Sequence, residues 1–213
     1  MSSSLEIIVG CVSSGKTQFA IDKLIEYSHI HGHEKCLYVD SYQNTHLQTY
    51  ADFRKFTPVM IDIVKVDYLA EIFVKRPDFN YSVVAIDNIH FYEDLEYVIK
   101  RMIAKGMHII CAGLDSDWKG LGFDQVSKLL PISTTFNKLI GPACSSCIVE
   151  NYTNSAHVIQ HCSRTAKIAN RYVDKDSLKD SLYSPVCLHH HEILKNDSKY
   201  LAFDANDCYV EEI

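Results

Sequence analysis

The chain has 213 residues, 47% of them hydrophobic and 23% charged, with 21 basic against 27 acidic residues for a net charge of −6. That balance excludes a disordered or fibrous chain, and the lack of any Lys/Arg run argues against a dedicated nucleic-acid binder. No apolar run approaches the roughly 18 residues of a membrane span. The opening Met1-Ser2-Ser3-Ser4-Leu5-Glu6 shows no basic stretch leading into a long apolar one, so a soluble, cytoplasmic protein is expected. Eight cysteines in such a protein read as thiols or metal ligands rather than a disulfide framework.

Short Ile/Val-rich runs recur at 5–9, 36–40, 61–66, 82–87 and 108–111, and amphipathic segments at 17–30, 68–75 and 95–105 lie between several of them. Strands alternating with helices predict an α/β fold, a parallel sheet with helices on both faces. The rhythm stops near residue 141, where Cys, His, Tyr and Thr take over. The expected organisation is an α/β domain over 1–141, a small Cys- and His-rich lobe over 142–194, and a polar, acidic tail over 195–213.

Gly10-Cys11-Val12-Ser13-Ser14-Gly15-Lys16-Thr17 fits G-x-x-x-x-G-K-[ST], with an Ile-Ile-Val strand entering and a helix-compatible segment leaving. Glycines let the backbone wrap so that successive N–H groups converge on phosphate oxygens at a helix N-terminus. In this pattern Lys16 reaches the outer phosphates and the Thr17 hydroxyl ligates Mg²⁺. A second magnesium residue should end a buried strand, and Asp87 does so after Val83-Val84-Ala85-Ile86. The bland alternatives are a glycine-rich turn and an aspartate capping the next helix.

Downstream, Cys144-Ser145-Ser146-Cys147 and Cys187-Leu188-His189-His190 form two knuckles with two-residue gaps, suited to a tetrahedral Cys₃His zinc site. A C-x-x-C is also a redox pattern, but such motifs open a helix beside a thioredoxin-like βαβ, and this one follows the sheet. His190 keeps the ligand spacing, while His189 and His191 read as surface residues. Cys11, Cys36, Cys111, Cys162 and Cys208 read as core or surface thiols. His29, His31 and His33 read as solvated, and Glu93-Asp94 as acids in the first turn of a helix.

The phosphate loop, the aspartate-ended strand and the late zinc knuckles, in that order, resemble the type II thymidine kinase family of cytosolic and viral enzymes. Ala85-Ile86-Asp87-Asn88-Ile89-His90-Phe91-Tyr92 looks like its A-I-D-E-x-Q-F-F, and Ala112-Gly113-Leu114-Asp115-Ser116-Asp117-Trp118 like its A-x-L-D-x-x-F. Tyr183-Ser184-Pro185-Val186-Cys187 is similar to the tyrosine before the second knuckle. The resemblance implies ATP, Mg²⁺ and Zn²⁺ as cofactors, thymidine as acceptor, and a homo-oligomer, tetrameric by family habit, with a hetero-oligomer as the alternative. It places Phe91, Leu114, Trp118, Phe123 and Tyr183 around the thymine, in a pocket closed by a lasso loop.

The departures concern the chemistry. The family's general base, a glutamate after the strand aspartate, is Asn88 here, and a neutral amide orients a hydroxyl without taking its proton. His90 stands at the family's glutamine; if 88 and 90 share one face of a strand, its imidazole is the substitute base. The family's D-T-R reads Asn44-Thr45-His46. Three functions therefore stand open: a thymidine kinase, a nucleotide-binding pseudokinase serving as subunit or scaffold, and a phosphate-loop NTPase of another substrate.

Overall fold

The computed structural model describes residues 3–43, 61–154, 158–167 and 183–196; the tail beyond 196, Cys208 and the Asn44-Thr45-His46 segment lie outside them. The chain divides into two compact units. The first comprises Met1–Gly10, Gly15–Asp115 and Gly122–Leu139, and the second Cys11–Ser14, Ser116–Leu121 and the chain from Ile140 onward.

In the first unit, the strands β1 (Ser4–Gly10), β2 (Cys36–Ser41), β3 (Asp62–Val66), β4 (Val83–Ile86), β5 (His108–Leu114) and β6 (Thr135–Leu139) form one sheet in the order β3-β2-β4-β5-β1-β6. Every pairing is parallel. The apolar runs need this arrangement: every residue of β2 and β4 is buried, so neither strand has a face to give to water. Along β1 the side chains alternate between two cores. Leu5, Ile7 and Val9 join one and Ile8 the other.

Helices cover both faces. The helix α1 (Lys16–His31) buries Ala20, Ile21 and Leu24 in the cluster that contains Ile8, Tyr38, Ala85 and Ile110. On the other face α3 (Leu95–Ala104) presents Leu95, Val98, Ile99 and Met102 to Leu37, Val39, Val84 and Ile86. Burying one such aliphatic side chain contributes about 1.5–3 kcal/mol. The short α2 (Ile72–Lys75) and α4 (Asp124–Leu129) complete the unit.

The predicted elements appear within a few residues of their expected bounds, with β6 and α4 added and one helix altered. The strand β6, whose outer residues are largely exposed, extends the sheet beyond β1 without an apolar run to announce it. The expected helix at 68–75 is a 3₁₀ turn, Leu69–Glu71, followed by α2. Glu93-Asp94 also differ from expectation. Asp94 precedes α3 but makes no side-chain cap there; its carboxylate accepts the Leu69 and Ala70 N–H groups at 3.0 and 2.8 Å, capping the turn before α2.

The second unit holds α5 (Ser145–Asn154), α6 (Leu188–Asn196) and an antiparallel pair, β7 (Arg164–Lys167) with β8 (Tyr183–Val186). Among the described residues its buried cluster is small and sulfur-rich: Cys11, Cys144, Cys147, Cys162, Ala166, Val186 and Cys187. An apolar core of that size is slight for independent stability, the situation in which small units rely on a metal.

Candidate active site and metal centre

In the first unit the functional side chains collect at the carboxyl ends of parallel strands, where open α/β sheets bind ligands. Gly10 ends β1, and Gly15, with φ 84°, delivers Lys16 and Thr17 as the first residues of α1. A left-handed φ costs glycine little and most residues 1–2 kcal/mol. The Thr17 hydroxyl donates to Asp87 Oδ2 at 2.7 Å, near the roughly 3.0 Å between neighbouring ligands of an octahedral ion with 2.1 Å bonds. Two hard oxygen donors at that spacing fit a magnesium ion that takes its other ligands from phosphates and water. Burial raises the Asp87 carboxyl, opposed by hydrogen bonds from Thr17 and the Asn88 N–H. Tyr38 also donates to Oδ2, at 3.0 Å.

Chain direction changes immediately after Asp87. Asn88 is left-handed (φ 54°, ψ 41°), and Ile89–Phe91 is a 3₁₀ turn. Positions 88 and 90 therefore do not share a strand face, which corrects the geometric premise for His90 as a substitute base. The turn packs against β5 so closely that a Cβ on Gly113 would lie 2.6 Å from Ile89 Cγ1. His90 Nδ1 accepts the Leu114 N–H at 3.4 Å, and its ring lies 4.2 Å from Phe91 and 5.1 Å from Phe123, centroid to centroid. Burial first, and the Lys16 charge second, pull the His90 imidazole down to about 3. Such a ring stays neutral but has little proton affinity. The structure thus gathers Phe91, Leu114 and Phe123 around His90.

The remaining predicted residues belong to the second unit. Cys11 donates its thiol to Cys162 O at 3.6 Å, and the Val12 N–H donates to Thr165 Oγ1 at 3.1 Å. Ser13 takes a left-handed φ of 59°, and the Ser14 N–H closes a turn on Cys11 O. Tyr183 is exposed at the start of β8. The Trp118 carbonyl accepts from His191 Nε2 at 2.9 Å. His191 is accordingly buried, not a surface residue; His189 is exposed.

Cys144, Cys147, Cys187 and His190, all buried, bring four donor atoms within 4.8 Å of one another. His190 Nδ1 lies 3.6, 3.5 and 3.2 Å from the three sulfurs, and Cys147 and Cys187 Sγ are 3.7 Å apart. A tetrahedral zinc with Zn–S near 2.3 Å and Zn–N near 2.0 Å needs edges of roughly 3.5–3.8 Å, so the cluster fits the ion in size and donor chemistry. The C-x-x-C does open a helix, α5, yet its sulfurs converge on Cys187 and His190 rather than standing as an isolated redox pair. Burial opposes ionisation of Cys144, but backbone N–H groups of Cys147, Cys187 and Ser146 and the Cys187 thiol bring it down to about 7. Burial pushes Cys187 up. His190 Nε2 meets Glu150 Oε1 at 2.8 Å, the carboxylate–histidine arrangement that fixes a metal-binding tautomer.

The sequence matches the thymidine kinase family over residues 3–191. The chain belongs to the thymidine kinase family. It is 26% identical over 201 residues to the thymidine kinase of two strains of Ureaplasma parvum serovar 3, covering 89% of this chain and 82% of theirs. It is 25% identical to the thymidine kinase of Ureaplasma urealyticum serovar 10 over the same shares. The family is one of phosphotransferases, and the Thr17–Asp87 pair beside Lys16 suits that chemistry.

Sequence reasoning missed two residues near these sites. Asp40, buried one residue before the end of β2, accepts from Asn88 Nδ2 at 3.1 Å; its only sequence signal is a carboxylate following an apolar run, as at Asp87. Glu150, three residues after Cys147, carries no local signal, because its partner is 40 residues away.

Proposed function

We propose that this protein transfers the γ-phosphoryl group of ATP to the 5′-hydroxyl of thymidine. The observation that carries this reading is the 2.7 Å Thr17–Asp87 pair beside Lys16, at strand ends, in a chain of this family. Residues 10–17 take the triphosphate, Lys16 faces its outer phosphates, and Thr17 and Asp87 hold Mg²⁺. Bound magnesium offsets the phosphate charge. Phe91, Leu114 and Phe123 supply apolar surface to the base, with Trp118 and Tyr183 carried as further nucleoside residues.

The hydroxyl oxygen bonds to the γ-phosphorus while the bond to the β–γ bridging oxygen breaks and its electron pair leaves with ADP. With Asn88 at the usual base position and His90 lacking proton affinity, the hydroxyl proton passes to a non-bridging oxygen of the transferred group. A loose transition state tolerates that route, because positioning and electrostatics carry most of the catalysis. Zinc at Cys144, Cys147, Cys187 and His190 is structural. The chain works in the cytoplasm as a homo-oligomer, tetrameric by resemblance.

The test is labelled phosphate transfer from ATP–Mg²⁺ to thymidine. Turnover is expected in the unmodified chain, and Lys16→Met should lower it by about 10²–10³-fold, the usual scale for losing one electrostatic contact to transition-state charge. Asn88 is the specific observation favouring a second reading, a pseudokinase subunit or scaffold. ATP binding without any thymidine phosphorylation would select it.

A further inference from the structure

Asn88, two residues after β4, takes a left-handed conformation, uncommon outside glycine but open to asparagine. What fixes its side chain is Asp40. In the sheet, Val39 pairs with Ile86 and Asp40 with Lys65, so Asp40, next to last in β2, lies between β3 and the residues that follow β4. Its Oδ1 accepts the Ser41 N–H at 2.8 Å and Asn88 Nδ2 at 3.1 Å, and its Oδ2 lies 3.5 Å from Lys65 Nζ. A carboxylate only accepts, so the amide branch that faces it is the NH₂ group. Oδ1 of Asn88 therefore occupies the opposite branch, and among the described residues nothing donates to it. Asn88 itself is not fully buried.

We propose that Asp40 is a positioning residue for phosphoryl transfer: it locks the Asn88 amide so that Asn88 Oδ1 accepts the hydroxyl of the nucleoside acceptor. This rests on the kinase reading above. The negative charge of the site stands one hydrogen bond behind the acceptor hydroxyl. There it draws on the amide N–H, polarises the amide and strengthens its carbonyl as an acceptor. Lys65 holds that charge in place from the neighbouring strand. As the hydroxyl oxygen bonds to the γ-phosphorus and the ADP oxygen departs with its electron pair, the hydroxyl proton leaves Asn88 Oδ1 for a non-bridging phosphoryl oxygen. Asn88 and Asp40 finish the step unchanged.

The test is a double-mutant cycle on kcat and on KM for thymidine and ATP, with thermal unfolding and ATP binding measured on each variant. Asp40→Asn frees the amide to flip and should lower kcat by about 10–100-fold, the scale of a small misplacement of a reacting group, with KM for ATP unchanged. Asn88→Ala should lose at least as much. The double variant Asp40→Asn/Asn88→Ala should be no slower than Asn88→Ala alone, because Asp40 acts only through Asn88. Multiplicative losses, or an Asp40→Asn protein with full kcat, overturn the proposal while leaving the kinase reading intact.

A residue exchange, Asp40→Asn with Asn88→Asp, keeps the hydrogen bond with its polarity reversed and moves the carboxylate to the outer position. It should turn over at or above the unmodified rate. Should the unmodified chain be silent and the exchanged one active, the pair is placed correctly and the kinase reading fails for the natural sequence. Silence of both, with ATP still bound, ends both readings together.

Discussion

His90 shows how environment decides what a residue can do. An exposed imidazole titrates near 6.5 and suits proton transfer at neutral pH, but here burial and Lys16 depress it to about 3. The sign of the pH effect follows. Between about pH 6.5 and 3 the unfolded chain binds a proton at this histidine and the folded chain does not, so stability present above pH 6.5 is lost as the pH falls. The slope is about 1.4 kcal/mol per pH unit. His90→Gln removes that contribution. Urea unfolding between pH 7 and 5 should show a shallower loss for the variant than for the unmodified chain; parallel curves would show that His90 titrates normally. Asn88 is the counterpart: its chemistry is legible from its residue type, but its left-handed backbone and its grip on Asp40 are not, because both depend on a strand distant in sequence.

Elements were recognisable from pattern wherever both faces are buried. The strands β2 and β4 are continuous apolar runs because no face of theirs meets water. By contrast, β6 is an edge strand whose side chains are mostly exposed, so its backbone pairing with β1 leaves no hydrophobic signature. Capping was legible only in part. Asp94 lies where acids favour the start of α3, yet it serves the turn 25 residues earlier. Asp94→Ala leaves the Leu69 and Ala70 N–H groups without that acceptor and should cost about 0.5–2 kcal/mol, read as a lower midpoint in thermal unfolding. A variant as stable as the original would show that water replaces the carboxylate at no cost.

At the scale of the whole molecule, the two units differ in what stabilises them. The first has two aliphatic cores, one on each face of the sheet. The second has a cluster whose buried members are mainly cysteines, so the metal we propose carries much of its stability. Chelation of the full chain should release one zinc per chain and hasten proteolysis within 140–196, while the sheet unit stays protected. Glu150→Gln should weaken zinc binding by about 10–100-fold in a competition with a metal indicator, the usual cost of losing a carboxylate behind a ligating histidine. An unchanged affinity would remove Glu150 from the metal centre.

By itself the sequence determined the fold class, and it singled out the glycine-rich loop, Asp87 and the four metal-ligand residues as candidates, because each rests on local spacing or on the period of burial. The gathering of those four was an expectation from spacing, and the fold supplied their 3.2–3.7 Å contacts. Only the tertiary structure decided what faces what across the chain: Asp40 on Asn88, 48 residues apart, and Glu150 on His190, 40 apart. It also overruled the strand geometry for His90 and the surface reading of His191. Hydrogen bonds between distant strands and helices leave no periodic trace in the residues that make them, and burial alters a side chain's chemistry without altering its identity.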